Sequence, residues 1–372
     1  MSREHSHVKA CLNELENLCP TRRDFLRLAG WALGAFGLTQ LADWDNLVAA
    51  AEQKELVIMT SGGSWKASHD RLLVKPFESK YGVRGIFNIR SNAERIPLLV
   101  ATKNRPEVDV VEPGDILSAK GKPLGLFVPL TQDMIPSLKN VDPRFRREPV
   151  HAINLYGSFV LTYNTKYVSK SDVASMGWEV LKHSKYRGRV AIPNYGWYGE
   201  TWLQGANKAF GGTPDQMDPV LRLARAVMKE NAGKLMNSVD HGMQMFTAEE
   251  IWIAPFWNGR TWQLADKGIP LVYEFAPGWV PSSFGWSIVA RAPHMELALK
   301  FVDSIFAPEA LIEYAREYYY TPTLTTITLP QDIKDRAGTP ASALDKAAFL
   351  NWDEVIRHSD KNLEKWNKQV IG

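Results

Sequence analysis

Between residues 55 and 111 the sequence alternates between short apolar runs and amphipathic ones, and that alternation restricts the chain to an α/β architecture. ELVIMT, residues 55–60, reads as a buried strand that runs into Ser61-Gly62-Gly63-Ser64 and a helical pattern over 65–81, stopped by Gly82. The Ser/Gly turn offers backbone N–H groups at a helix start, which can hold a carboxylate or phosphate, although a tight turn with a capping serine is the commoner use. Residues 83–89 read as a second strand, Ser91-Asn92 as the cap of a helix over 93–103, and 108–111 as a third strand. Such alternation implies parallel strands with helices on both faces.

The N-terminus precedes this pattern and differs from it. Thr21-Arg22-Arg23-Asp24-Phe25-Leu26-Arg27 leads into an apolar, Gly/Ala-rich run over 28–42, and Ala49-Ala50-Ala51 supplies small residues at cleavage-site spacing. The pattern looks like a twin-arginine (Tat) signal peptide cut near Ala51. The run is shorter than the roughly 20 residues that span a bilayer and ends at Asp43 and Asp45, so an anchor is disfavoured. Residues 1–51 are therefore set apart from the fold. Both cysteines, Cys11 and Cys19, fall in this leader, which leaves the rest without a disulfide framework, a cysteine nucleophile or a cysteine-ligated metal. The net charge of +3, raised only to +4 by removal of the leader, argues against nucleic acid as a partner. About 320 residues remain, enough for two domains or one bilobal protein.

Further along, residues 150–164 shift to continuous extended character, where a chain can cross between lobes. A strand over 189–192 precedes the aromatic loop Pro193-Asn194-Tyr195-Gly196-Trp197-Tyr198-Gly199-Glu200, and helices follow over 201–210 and 215–231. Strands are expected at 270–275 and 285–290, a helix interrupted at Pro308 over 295–320, and further helices toward Gly372.

The segment 250–262, EIWIAPFWNGRTW, changes character in its middle. Ile251, Trp252 and Ile253 read as a buried strand, and Asn258-Gly259 breaks it and caps a helix continued from Thr261. Trp257 and Arg260 thus stand at a strand-to-helix turn, where open α/β sheets bind ligands. For Trp257 alone, a core role is the commoner one.

Several motifs occur in one order: the exported leader, a first strand with a polar turn, the Ser91-Asn92 cap, W-E-x-L before Tyr186-x-Gly188 and a V-A-I-P strand, W-N-G at 257–259, G-W-S-I-V-A at 285–290 before an A-L-K-F helix, and Tyr320-Thr321-Pro322-Thr323. Together they resemble the extracellular solute-binding proteins of bacterial ABC transporters, and within them the spermidine/putrescine-binding group, over about 55–323. The resemblance implies a bilobal type II periplasmic-binding fold of class α/β. Lobe 1 would span 52–160 and be completed by about 285–322; lobe 2 would span 161–284, with the helices of 323–372 packing across it. It implies a periplasmic, monomeric binder that closes on a small-molecule solute and docks on an inner-membrane ABC permease, performs no chemistry, and needs no cofactor, metal or nucleic acid.

Residue by residue, the resemblance places Trp257 as a wall stacked along the ligand, with Asn258 continuing the motif, Ser91 as a pocket-lining serine and Glu200 as an acid that grips an amine. Trp286 stands where the polyamine binders carry an acid, and Ser64-Trp65 replaces an aromatic-plus-glutamate pair. Losing two carboxylates leaves ammonium groups underpaired in a dry cleft. Arg260 beside the tryptophan would repel a cation and could clasp a carboxylate, or else lie exposed with its stem over Trp262. Trp65, Tyr195, Trp197 and Trp286 complete the candidate ligand-binding set, and Trp65, Trp197, Tyr198, Trp257, Trp279, Phe284 and Trp286 could form an aromatic-walled cleft. Such a cleft suits a flat organic acid or a quaternary amine.

Two alternatives remain beside the binder. Ferric-ion binders of the same fold carry adjacent tyrosines where this chain has Trp257-Asn258-Gly259-Arg260, and the consecutive Tyr318, Tyr319 and Tyr320 would point apart on a helix. His69, His151, His183, His241, His294 and His358 show no ligand spacing. A Tat-exported enzyme is the other alternative, and no hydrolase, zincin, dinucleotide or Walker motif supports it.

Overall fold

The computed structural model describes residues 54–372. The expected leader and both cysteines lie outside these residues. Lys54, Glu55 and Gly82–Arg84 form a small unit of their own, in which the Arg84 N–H donates to the Lys54 carbonyl at 2.9 Å. The rest, Leu56–Tyr81 with Gly85–Gly372, forms the other.

The first elements follow the sequence closely. β1 (Glu55–Thr60) leads into α1 (Gly63–His69), which continues through one π turn into α2 (Lys75–Tyr81). After β2 (Arg84–Ile89), α3 (Asn92–Ala101) starts at the Ser91 cap, whose N–H donates to Glu94 Oε2 at 2.8 Å. The third strand, β3 (Val110–Val111), is only two residues long, and α4 (Gly114–Gly121) follows.

β4 (Ala152–Asn164) is buried along all thirteen residues. It is followed by α5 (Lys170–Met176), β5 (Ala191–Pro193), α6 (Glu200–Ala209), α7 (Asp218–Arg225) and β6 (Lys234–Met236). Next come α8 (Val239–Thr247), β7 (Ile253–Trp257) and α9 (Asn258–Ala265), so the strand in EIWIAPFWNGRTW runs up to the tryptophan and the helix begins at Asn258. β8 (Leu271–Glu274) and β9 (Val280–Ile288) precede α10 (Met295–Ser304), α11 (Pro308–Tyr318), β10 (Thr321–Pro322), α12 (Gln331–Ala337), α13 (Ala341–Leu344) and α14 (Trp352–Trp366).

The parallel pairing expected over 55–111 is present between β1 and β3, whereas the later strands join the sheet antiparallel. β1 and β3 are parallel, with Ile58 beside Val110, but β3 then meets β9 antiparallel and β9 meets β4 antiparallel. The eight-stranded order is β10-β4-β9-β3-β1-β2, with β7 and β8 also antiparallel on β4. β5 and β6 form a separate parallel pair, bridged to β7 through Val190 and Ile253. The long β4 carries this arrangement because its apolar character continues on both faces, as a strand covered on both sides requires.

Along β4, Gly157 is the position of closest approach. A Cβ there would lie 2.9 Å from Tyr320 and 3.0 Å from Trp257, so the two rings lie over the bare backbone. α14 ties distant parts together. Trp352 and Val355 pack with Ala119 of α4 and Val280 of β9, whereas Ser359 and Asn362 bond to Glu200 and to the Pro214 carbonyl.

Candidate functional site

Trp257 closes β7, opposite Phe159 in the register with β4, and its neighbours are aromatic. The Tyr198, Phe159, Phe284 and Tyr320 centroids lie 5.0, 5.3, 6.0 and 6.4 Å from it. Phe284 of β9 and Tyr320 stack on each other at 4.6 Å and 16°. Trp65 of α1 meets this pair from its own side, 5.3 Å from Phe284 and 6.0 Å from Tyr320. Both indoles thus contact both rings of the stack, with no ring contact between the indoles. The result is an aromatic cluster in which both indoles pack on the stacked Phe284 and Tyr320. Trp257 is buried at 3% exposure, whereas Trp65, Tyr198 and Phe284 are half-buried and form the accessible rim of the cluster.

Trp65 is held by an acid. Its Nε1 donates to the Glu112 carboxylate at 2.8 Å, Thr60 Oγ1 donates to the same group at 2.8 Å, and His69 Nε2 lies 3.3 Å from it. The other His69 ring nitrogen meets the Tyr314 hydroxyl at 2.5 Å. Burial alone would raise the Glu112 pKa, but His69, Arg95 and the Thr60 hydrogen bond outweigh it and hold the carboxyl below its ordinary value. Glu112 is therefore ionised, with both oxygens engaged.

The second acid behaves oppositely. Asp115, in the first turn of α4, accepts the Ser283 N–H at 2.8 Å, yet burial and the field of Glu148 push its pKa up to about 7. Tyr198 stands in the field of Asp115, Glu112, Arg95 and Tyr320, and burial raises its hydroxyl pKa. Its backbone is left-handed, φ 53° and ψ 3°, a conformation costing a non-glycine residue about 1 kcal/mol or more. Packing against Trp257 and Phe159 holds it there.

Two arginines act on the cluster, Arg95 through Glu112 and Tyr198 and Arg260 through Tyr318 and Tyr320. Arg95 is buried, and its guanidinium donates to Ser61 Oγ at 2.6 Å and to the Arg90 and Glu112 carbonyls. Arg260 is half-buried, donates to Gln263 Oε1 at 2.6 Å and lies 5.7 Å over the Tyr318 ring. Neither makes an ion pair among the described residues. Arg260 also acts on Tyr320: burial pushes the Tyr320 hydroxyl up to about 12, and the guanidinium acts against that shift. The ring of Trp262 is covered by Arg336 at 5.0 Å.

The remaining sequence-selected residues lie elsewhere. Asn258 is buried, accepting the Ser158 N–H and donating to the Tyr319 carbonyl, so its amide locks β7 to β4 and to the end of α11. Ser91 is an exposed cap. Tyr195 and Glu200 bond to each other at 2.8 Å and to Ser359 of α14, and burial raises the Glu200 pKa. Trp197 packs on the core of Met236 and Phe256 while touching Tyr198. Trp286 is 1% exposed between His69 and Phe301, behind Trp65, and Trp279 donates to the Ala343 carbonyl. Of the sequence-selected residues, Trp65, Trp257, Tyr198 and Phe284 come together, with Arg260 beside them.

Sequence reasoning missed Glu112, Asp115, Arg95 and Tyr320. Glu112 and Asp115 follow the β3 end, the same kind of position that drew notice to Trp257. Tyr320 escaped because the three tyrosines read as helical. The helix ends at Tyr318, and left-handed Tyr319, φ 56°, turns the chain so that Tyr318 and Tyr320 stack at 5.7 Å. No group of three or more His, Cys, Asp or Glu side chains able to hold a metal occurs among the described residues.

No curated protein sequence matches the chain. Solved structures do. An extracellular solute-binding protein from Bordetella parapertussis is similar at TM-score 0.73 and 18% identity, over 86% of this chain and 99% of that one. A periplasmic binding protein of A. tumefaciens R10 in complex with agropinic acid gives TM-score 0.65 and 19% identity over 86% and 99%. The spermidine/putrescine transporter substrate-binding protein of Streptococcus pneumoniae gives TM-score 0.68 and 17% identity over 84% and 98%. These likenesses establish the periplasmic solute-binding fold. Residues 73–341 match the family described as bacterial extracellular solute-binding protein, a family of binders, and over that span the chain belongs to it.

Proposed function

We propose that the protein is the periplasmic substrate-binding component of an ABC importer, exported by the twin-arginine pathway, and that it captures a carboxylate-bearing organic solute. Two lobes, 52–160 completed by 285–322 and 161–284, close on the solute between Trp65 and Trp257 and present it to an inner-membrane permease. The observation that carries this reading is Arg260: a half-buried guanidinium with no ion pair among the described residues, beside an aromatic cluster at a strand-to-helix turn. A carboxylate there gains charge-assisted hydrogen bonds without displacing an anionic partner. A plain polyamine is disfavoured, because Glu112 is bonded to Trp65 and Thr60 and Asp115 holds the Ser283 N–H. The agropinic acid complex of the A. tumefaciens relative supports an acid as cargo on this fold.

The test is a titration followed by tryptophan fluorescence and thermal melting, with the solute recovered and weighed by mass spectrometry. Carboxylate solutes should give saturable shifts and come back unchanged, with at least tenfold weaker binding to Arg260→Gln. Turnover of the solute, or equal affinity of the variant, would overturn the reading.

A further inference from the structure

The arginines around the end of α11 differ in the kind of partner they hold. Arg71 pairs with Glu317, Arg316 with Asp332 and Arg336 with Asp266, a carboxylate in each case. Arg260 instead donates to the side-chain amide of Gln263, one turn further along α9, at 2.6 Å. The neighbouring acids are already committed. Glu317 turns its carboxylate to Arg71 and to Ser68, the latter at 2.8 Å, and offers α9 only its backbone carbonyl, which accepts Gln263 Nε2 at 3.0 Å. Asp266, at the C-terminal end of α9, holds Arg336 and the Tyr319 hydroxyl. Gln263 is thus held at both ends, and the two bonds set its orientation: its oxygen must face the guanidinium, which only donates, and its nitrogen the carbonyl, which only accepts.

An amide at this position does two things that an acid could not do together. It fixes the direction of a long side chain before a solute arrives, so less conformational freedom is lost on binding. It also carries no charge. Apart from the N–H given to Gln263, the donors of the Arg260 guanidinium meet no acceptor among the described residues. A glutamate in its place would form a local ion pair of the kind that Arg71, Arg316 and Arg336 make, and an incoming carboxylate would have to displace it.

Resting on the carboxylate reading above, we propose that Gln263 is a positioning residue of the solute site: it aims Arg260 across the Tyr318 ring and, being neutral, leaves the guanidinium charge to the acid group of the solute. Discrimination between an acid and its uncharged amide is then set by Arg260 and Gln263 together.

The experiment measures, by calorimetric titration, the ratio of affinities for an acid and its amide, with benzoate against benzamide and succinate against succinamide. The unsubstituted protein should prefer at least one of the acids tenfold or more. Gln263→Glu should lower that ratio tenfold or more while affinity for the amide stays within twofold, and in the Arg260→Gln background the same substitution should change nothing further. Gln263→Met, which removes the acceptor without adding charge, should weaken the acid at least threefold and leave the amide unchanged, so a test remains if Gln263→Glu fails to fold. A ratio in the Gln263 variants equal to that of the unsubstituted protein, or equal weakening of acid and amide, would overturn the assignment while the carboxylate reading stands. An unaltered ratio in Arg260→Gln, or no preference for either acid in the unsubstituted protein, overturns the carboxylate reading and the assignment with it.

Discussion

Trp65 Nε1 and the Glu112 carboxylate lie 2.8 Å apart across 47 residues of sequence, and this bond fixes the Trp65 indole against Phe284 and Tyr320. A buried carboxylate holding a hydrogen bond from each of two side chains, with an imidazole beside it, is costly to disturb. Glu112→Gln keeps the shape and loses the charge, and it should destabilise the protein by about 2 kcal/mol at pH 7. Because the folded carboxyl is held below its ordinary value, its stabilisation is present above that value and is lost as the pH falls through the lower, folded one. The gap between the wild type and the variant in urea melts should therefore shrink below about pH 4.5; an unchanged gap at pH 3.5 would contradict the assignment.

Asp115 should show the opposite dependence. Its folded pKa of about 7 exceeds the ordinary 3.8, so the folded state binds more protons than the unfolded state between those values. Wild-type stability then falls as the pH rises across that window. Asp115→Asn cannot ionise and still accepts the Ser283 N–H, so it should gain on the wild type with rising pH, by an amount on the order of 2 kcal/mol at pH 8. Melting temperatures of both proteins at pH 5 and pH 8 check this, and parallel pH profiles would exclude it.

Trp257 is packed as a core residue as well as proposed to meet the ligand. Its 3% exposure means that Trp257→Ala should cost about 3 kcal/mol of stability as well as ligand binding. Trp257→Phe should retain most of the stability, with a cost of roughly 1 kcal/mol. Chemical denaturation separates the two; equal, small losses in both variants would show that the indole is not packed as described.

The motif glycine has a steric reason. A Cβ on Gly259 would lie 2.0 Å from the Tyr318 carbonyl oxygen, the point where α9 meets the end of α11. Gly259→Ala should therefore displace the Tyr318–Tyr320 turn, lowering stability by about 2 kcal/mol and weakening any ligand that rests on Tyr320. A variant with an unchanged melting temperature would mean that the contact yields without cost.

What was legible in the sequence was local. The strand, turn and helix over 55–101, the Ser91 cap and the turn at Trp257 follow from apolar spacing and capping chemistry, which act within a few residues. The antiparallel pairing of β4 with β9 was not legible, because both strands read only as extended runs and their partners lie more than 100 residues apart. Long-range partners also decided the site. Glu200 is occupied by Ser359, 159 residues away, and Trp65 is claimed by Glu112. Spacing carries no trace of either. Family resemblance singled out Trp257 as a residue expected to stack on the ligand, and only the fold brings Phe284 and Tyr320 against its ring.

The most direct measurement is a crystal structure of the protein purified with the solute it carries from the periplasm. The account predicts density between Trp65 and Trp257 above Phe284 and Tyr320, with a carboxylate within hydrogen-bonding distance of Arg260. A solute bound away from the two indoles, or one beside them with no acid group at Arg260, would contradict it.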